Sequence, residues 1–149
     1  LEHAPQRLGD AWERCTTVVG DAVDALPQGP FDAVVTALAV HHMPDDRKQQ
    51  LYRLVLTRLA PGGVFVNAEQ VAGPTPSLDE RYAERWLAHT AELGATTHDH
   101  AEAEVRMSMD LPAPVDVQCA WLRDAGFIDV DCFFKSWRFA VFGGWRPAA

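Results

Sequence analysis

The chain has 149 residues, 48% hydrophobic and 23% charged, with 21 acidic against 13 basic side chains and a formal net charge of −8. That composition predicts one soluble globular domain, and with no apolar run of about 18 residues no membrane partner or span is expected. The shortage of clustered Lys and Arg also argues against DNA or RNA as a direct partner.

In chain order, Leu1, Ala4, Leu8, Ala11 and Trp12 form a helical stripe, with Pro5 tolerated near the helix start. Cys15 to Val19 reads as a short strand leaving through Gly20-Asp21-Ala22, and Pro27-Gln28-Gly29-Pro30 is a turn cluster. Phe31 to Ala37 is expected to be a strand covered on both faces, because Ala33, Val34 and Val35 are consecutive and apolar. Pro44-Asp45-Asp46 starts a helix that Leu51, Leu54, Val55 and Leu59 continue, with an Asp available to cap it; Pro61-Gly62-Gly63 stops it. Val64 to Asn67 is the next central strand.

Beyond Pro74 and Pro76, Ser77 and Glu80 suggest a capping box, with Leu78, Tyr82, Trp86, Thr90 and Leu93 on one helix face. Val115 to Ala125 is the last helix, closed by Gly126. Ile128, Val130, Cys132 and Phe134 alternate as a one-sided strand, Ser136-Trp137 turns the chain, and Arg138 to Trp145 is the final strand. Cys15, Cys119 and Cys132 form no C-x-x-C and fall in these predicted strands and helices, which predicts reduced, buried thiols.

Three stretches carry a family resemblance: Val19-Gly20-Asp21-Ala22, then Phe31 through Asp45 with its His41-His42-Met43-Pro44, then Leu59-Ala60-Pro61-Gly62-Gly63-Val64-Phe65-Val66. Together with Trp121 to Phe127 and Phe139 to Phe142, they resemble the class I S-adenosylmethionine-dependent methyltransferases. The resemblance implies an α/β, Rossmann-like sheet with a terminal antiparallel strand. The family's first two strands and glycine-rich turn have no counterpart here. Residues 1–149 therefore read as a partial catalytic domain, the C-terminal two-thirds, with a helical substrate cover at about 74–112. In the family's sheet order of 3-2-1-4-5-7-6, a strand at Cys15 to Val19 would be separated from Phe31 to Ala37 by the missing ones. The 149 residues are then expected to be aggregation-prone, domain-swapped or part of a longer ordered chain, and alone not to bind cofactor with normal affinity.

The resemblance also places the site. A carboxylate at Asp21 can accept from an adenine amine while the Ala22 N–H reaches a ring nitrogen, although Asp21 equally suits a turn cap. Ala37, Leu38 and Ala39 are slender enough for backbone to approach the methionine end of S-adenosylmethionine. His41 and His42 adjoin this stretch; no catalytic residue is fixed by the sequence, His42 being the candidate general base and His41 a substrate-pocket candidate, although both equally suit packing against the cofactor loop or capping the helix. Adjacent side chains on a helix diverge by about 100°, so both are not expected to serve one atom or a metal, and no metal is expected. Tyr82, Trp86 and Arg106 are the further pocket candidates, Tyr82 and Trp86 being equally suited to the core. Arg106 also gives a weaker local resemblance to carboxy-S-adenosylmethionine synthase, where an arginine holds the cofactor's extra carboxylate.

The function expected is S-adenosylmethionine-dependent methyl transfer to a small molecule in the cytoplasm, with a homodimer open as an assembly. The alternatives are a noncatalytic methyltransferase-like interaction module and a carboxy-S-adenosylmethionine-synthase-like enzyme. A nicotinamide-dependent dehydrogenase lacks its G-x-G-x-x-G turn, and Tyr52 and Tyr82 are followed four residues on by Leu56 and Trp86, so no Tyr-x-x-x-Lys pair exists.

Overall fold

A computed structural model describes residues 3–148; Leu1, the first residue of the expected helical stripe, lies outside them. Helix α1 (Ala4–Leu8) runs into a 3-10 turn at Gly9–Arg14, and strand β1 (Phe31–Ala37) follows, ending in a 3-10 turn at Val40–His42. Then come α2 (Asp45–Arg58), β2 (Leu59–Gln70), α3 (Pro76–Glu92), α4 (Thr97–Met107), α5 (Val115–Ala125), β3 (Ile128–Ser136) and β4 (Phe139–Trp145).

The strands form one four-stranded sheet in the order β1-β2-β4-β3. β1 and β2 are parallel, with Ala37 opposite Ala68, whereas β4 runs antiparallel to both β2 and β3. A parallel pair needs a crossover, and α2 supplies it. This is the 4-5-7-6 part of the expected order, terminal antiparallel strand included.

The core lies where α2 and α5 cover the sheet. Leu51, Tyr52 and Val55 of α2 and Cys119 and Leu122 of α5 pack with Phe65, Val130 and Phe142. Helical spacing puts the α2 and α5 residues on single faces, so each helix buries one stripe and leaves the rest to water. Inside this layer the Tyr52 hydroxyl donates to Gln118 Oε1 at 2.7 Å, and Gln118 Nε2 donates to the Ala113 carbonyl at 2.9 Å. The chain of bonds satisfies buried polar groups that would otherwise destabilise the fold. Helix α5 stops at Gly126, whose φ of 109° suits glycine and few other residues.

Several local expectations are corrected. Cys15 to Val19 forms no strand: nothing in the sheet pairs with it, and Val19 is 86% exposed. β1 is not covered on both faces, since it is an edge strand and Val35 is 70% exposed. Pro61-Gly62-Gly63 does not end α2. The helix stops at Arg58, and these residues bulge within β2, where the register jumps from Phe31 opposite Leu59 to Ala33 opposite Val64.

The α3 cap is Thr75, whose hydroxyl accepts from the Leu78 N–H, because Pro76 takes the first helical position. The capping box belongs to α4, between Thr96 and Asp99. Of the expected α3 face, Tyr82 is buried and Leu93 exposed. β3 alternates poorly, because register shifts interrupt its pairing with β4, and only Val130 of its expected face is buried. All three cysteines are free, but Cys15 is exposed and Cys119 alone is buried.

Candidate functional site

β1 and β2 run parallel, so both deliver their carboxyl ends to the same edge of the sheet, where open α/β sheets bind ligands. At that edge the chain leaves β1 through Ala37, Leu38 and Ala39, all exposed. Leu38 adopts φ 49° and donates its N–H to the Ala68 carbonyl at 2.9 Å. A leucine in the left-handed region is strained, and only surrounding contacts can hold it there.

Those contacts come from Glu69, near the end of β2, whose side chain has no exposure. Its Oε2 accepts from the N–H groups of Val40 (2.7 Å) and His41 (3.2 Å), and its Oε1 from the Gln70 N–H (2.8 Å). His41 Nδ1 donates to the same Oε1 at 2.5 Å. One buried carboxylate thus anchors the turn after β1 and orients the first histidine.

Asp110, in the loop after α4, organises the second. Its Oδ1 lies 3.0 Å from His42 Nδ1, without the alignment of a hydrogen bond, and its Oδ2 lies 3.8 Å from His41 Nε2. Gln70 Nε2 donates to Oδ2 at 3.2 Å. The loop itself is held by the Leu111 N–H donating to the His41 carbonyl at 2.7 Å, and by the buried Lys48 ammonium, which reaches the Leu111 carbonyl and Asp45.

His41 and His42 both border Asp110 but meet different oxygens of it, so they do not serve one atom. Their ring centroids are 4.0 Å apart, and a carboxylate has two oxygens, so two rings can share one residue without sharing one atom. Ligand atoms of His41, His42 and Asp110 lie within 4.8 Å of one another; contacts to Glu69 and Asp110 account for that cluster, and no metal is assigned. His41 is buried, whereas the His42 side chain is 59% exposed.

Asp21 closes a turn. Its Oδ1 accepts from the N–H groups of Val23 (2.8 Å) and Asp24 (3.2 Å) and from Arg47 (2.7 Å). These amides, with help from Arg47, hold its carboxyl below the ordinary carboxylate range. Its Oδ2 takes none of these bonds, and Ala22 sits beside it on the exposed surface. Asn67, buried on β2 opposite Thr36, accepts from the Thr36 hydroxyl at 3.3 Å and leaves its Nδ2 without an acceptor.

The pocket candidates separate. Trp86 lines two cavities between α3, α4 and the β3–β4 turn. Tyr82 is buried beside Trp137 with ring centroids 5.9 Å apart and lines neither. Arg106 is corrected outright: its side chain is 69% exposed, with Glu102 3.8 Å away one helical turn earlier, so α4 points it to water. Sequence reading missed Glu69, Asp110 and Arg138, the last lining both cavities.

Sheet order, parallel pair and terminal antiparallel strand are matched by proteins of known kind. The methyltransferase domain family matches residues 1–67. The fold is that of the class I methyltransferases. Carboxy-S-adenosyl-L-methionine synthase of Desulforapulum autotrophicum is 25% identical over 149 residues, covering 99% of this chain and 60% of that protein. An O-methyltransferase family protein from Burkholderia thailandensis superposes with a TM-score of 0.68 at 16% identity, over 99% of this chain and 41% of its own. The S-adenosylmethionine-dependent methyltransferase SibL gives a TM-score of 0.67 at 19% identity, over 98% of this chain and 40% of its own. This chain thus spans about three-fifths of that curated relative and two-fifths of those solved structures.

Proposed function

We propose that the protein transfers a methyl group from S-adenosylmethionine to a small-molecule acceptor. The observation that carries this reading is the turn after β1, where buried Glu69 fixes His41 and the backbone beyond strained Leu38, and His42 stands against Asp110, at the ligand edge of a methyltransferase fold. A methyl on a sulfonium is already activated, so the protein's part is alignment and exclusion of water.

The residues present fit such a cofactor. Asp21 has an oxygen left for an adenine amine beside the Ala22 N–H, Ala37 to Ala39 offer backbone without bulk, and the unpaired Asn67 amide sits one strand away. His42 is the proton acceptor in this reading. With Nδ1 turned to Asp110, its Nε2 is left to take the proton an acceptor hydroxyl or amine loses as the new bond forms. His41, fixed by Glu69, positions the acceptor side of the turn. The carboxy-S-adenosylmethionine-synthase-like alternative loses its residue-level support, because Arg106 is in solvent.

Calorimetric titration with S-adenosylmethionine and S-adenosylhomocysteine tests the cofactor. Radiolabelled methyl transfer to a panel of phenols, amines and carbon acids tests the acceptor, with His42→Ala expected to reduce turnover about 10²-fold or more. Absence of cofactor binding at millimolar concentration in the full-length protein would overturn the proposal.

A further inference from the structure

The chain is acidic overall, yet three cations gather on aromatic rings at the β3–β4 turn: Arg85 5.2 Å from the Trp137 centroid, Lys135 5.1 Å from Tyr82, and Arg138 5.9 Å from Trp86. Arg138 differs from the other two. It is only 9% exposed, its Nε has no hydrogen-bond partner, and among the described residues no carboxylate pairs with it. Withdrawing part of a guanidinium from water without a partner, as at this Nε, is unfavourable. The face of Trp86 offsets part of that cost. The remainder calls for an anion.

Space for one adjoins it. Arg138 and Trp86 both line a cavity of about 710 Å³ whose other walls include Ala83, Leu87, Ala101 and Met107, and both line a smaller one of about 280 Å³. The larger volume suits a small organic molecule, and its apolar walls suit a flat hydrophobic body. Glu104 also borders it but is exposed and does not reach Arg138. His100 is fixed against Trp86, ring centroids 5.9 Å apart, with its Nε2 2.9 Å from the Thr90 hydroxyl oxygen. The Arg138 backbone is equally fixed, because its carbonyl accepts from the Val71 N–H at 2.7 Å just past the end of β2. The cation therefore stands at the same end of the sheet as Glu69 and Asp110.

We infer that this cavity binds an aromatic or similarly flat carboxylate, with the carboxylate on Arg138 and the ring beside Trp86. The planar fork of Arg138 matches a carboxylate with two parallel hydrogen bonds. The inference deepens the methyl-transfer reading by naming the acceptor class, and it rests on that reading for the ligand's fate but not for its binding.

The test uses 2-naphthoate and its neutral isostere 2-naphthamide, titrated against the whole chain while tryptophan fluorescence is followed. The carboxylate should bind about tenfold or more tightly than the amide, as expected for a charge-assisted bond in a partly desolvated site. Arg138→Gln should reduce that preference to within about twofold, Arg138→Lys should keep part of it, and Arg106→Gln should leave it unchanged. Equal affinity for both probes, no binding of either at millimolar concentration, or an unchanged preference in Arg138→Gln would each overturn the inference. The wild-type comparison decides even if the Arg138 variants fail to fold. S-Adenosylmethionine titration of the full-length protein separates the two ideas: a retained carboxylate preference without cofactor binding there defeats the methyl-transfer reading alone, and the reverse defeats only the anchor.

Discussion

Glu69 holds His41 by both its backbone and its ring: the His41 N–H lies 3.2 Å from Oε2 and Nδ1 lies 2.5 Å from Oε1 of one fully buried carboxylate. Residues 28 positions apart are thereby locked together at the carboxyl ends of neighbouring strands. Cutting this link should be costly, because it strands buried donors. Glu69→Ala is expected to lower the unfolding free energy by about 2–3 kcal/mol in urea. A loss below about 0.5 kcal/mol would show that the clamp contributes nothing net.

Asp21 should matter more to ligand than to fold. In a calorimetric titration of the full-length protein Asp21→Ala is expected to weaken S-adenosylmethionine binding about tenfold. Its carboxyl is held below its ordinary value of 3.8 by the Val23 and Asp24 amides, so its stabilising contribution is present above about pH 4 and fades as pH falls through the lower folded value. An acid-unfolding curve unchanged by Asp21→Ala would dismiss the turn contacts, and an unchanged dissociation constant would remove Asp21 from the site.

Cys119 gives a signature at the other end of the pH scale. Burial pushes its thiol from 9.0 up to about 11. The thiolate is disfavoured in the folded state, so this group's contribution to stability is intact below about pH 9 and is lost between 9 and 11. At pH 8 iodoacetamide should label exposed Cys15 in the native protein and reach Cys119 only after denaturation. Labelling of Cys119 at a comparable rate in the folded chain would refute its burial.

What could be read from sequence was what local pattern encodes. Helix α5 falls on Val115 to Ala125 as expected, since its stripe and its terminal Gly126 are consecutive signals, and β1 spans the expected Phe31 to Ala37. Cys15 to Val19 failed because an apolar run makes a strand only if a neighbour completes the ladder, and sequence pattern does not supply the neighbour. The site was half legible for a similar reason. His41, His42 and the slender Ala37 to Ala39 stretch stand together in the chain, but Glu69 and Asp110 reach the histidines from 28 and 68 or more residues away. Arg106 looked like the pocket cation from its neighbours, yet helix rotation turns it to water and the β3–β4 turn brings Arg138 in instead.

The clamp on the turn after β1 also bears on how a ligand would arrive. Two amides of that turn, Val40 and His41, end on a carboxylate sealed from water, so they should be among the slowest-exchanging hydrogens outside the strands. A turn already frozen by folding leaves little ordering entropy to be lost on association. Binding at this edge should accordingly resemble docking onto a rigid shelf, with an association rate set by diffusion and orientation rather than by loop rearrangement.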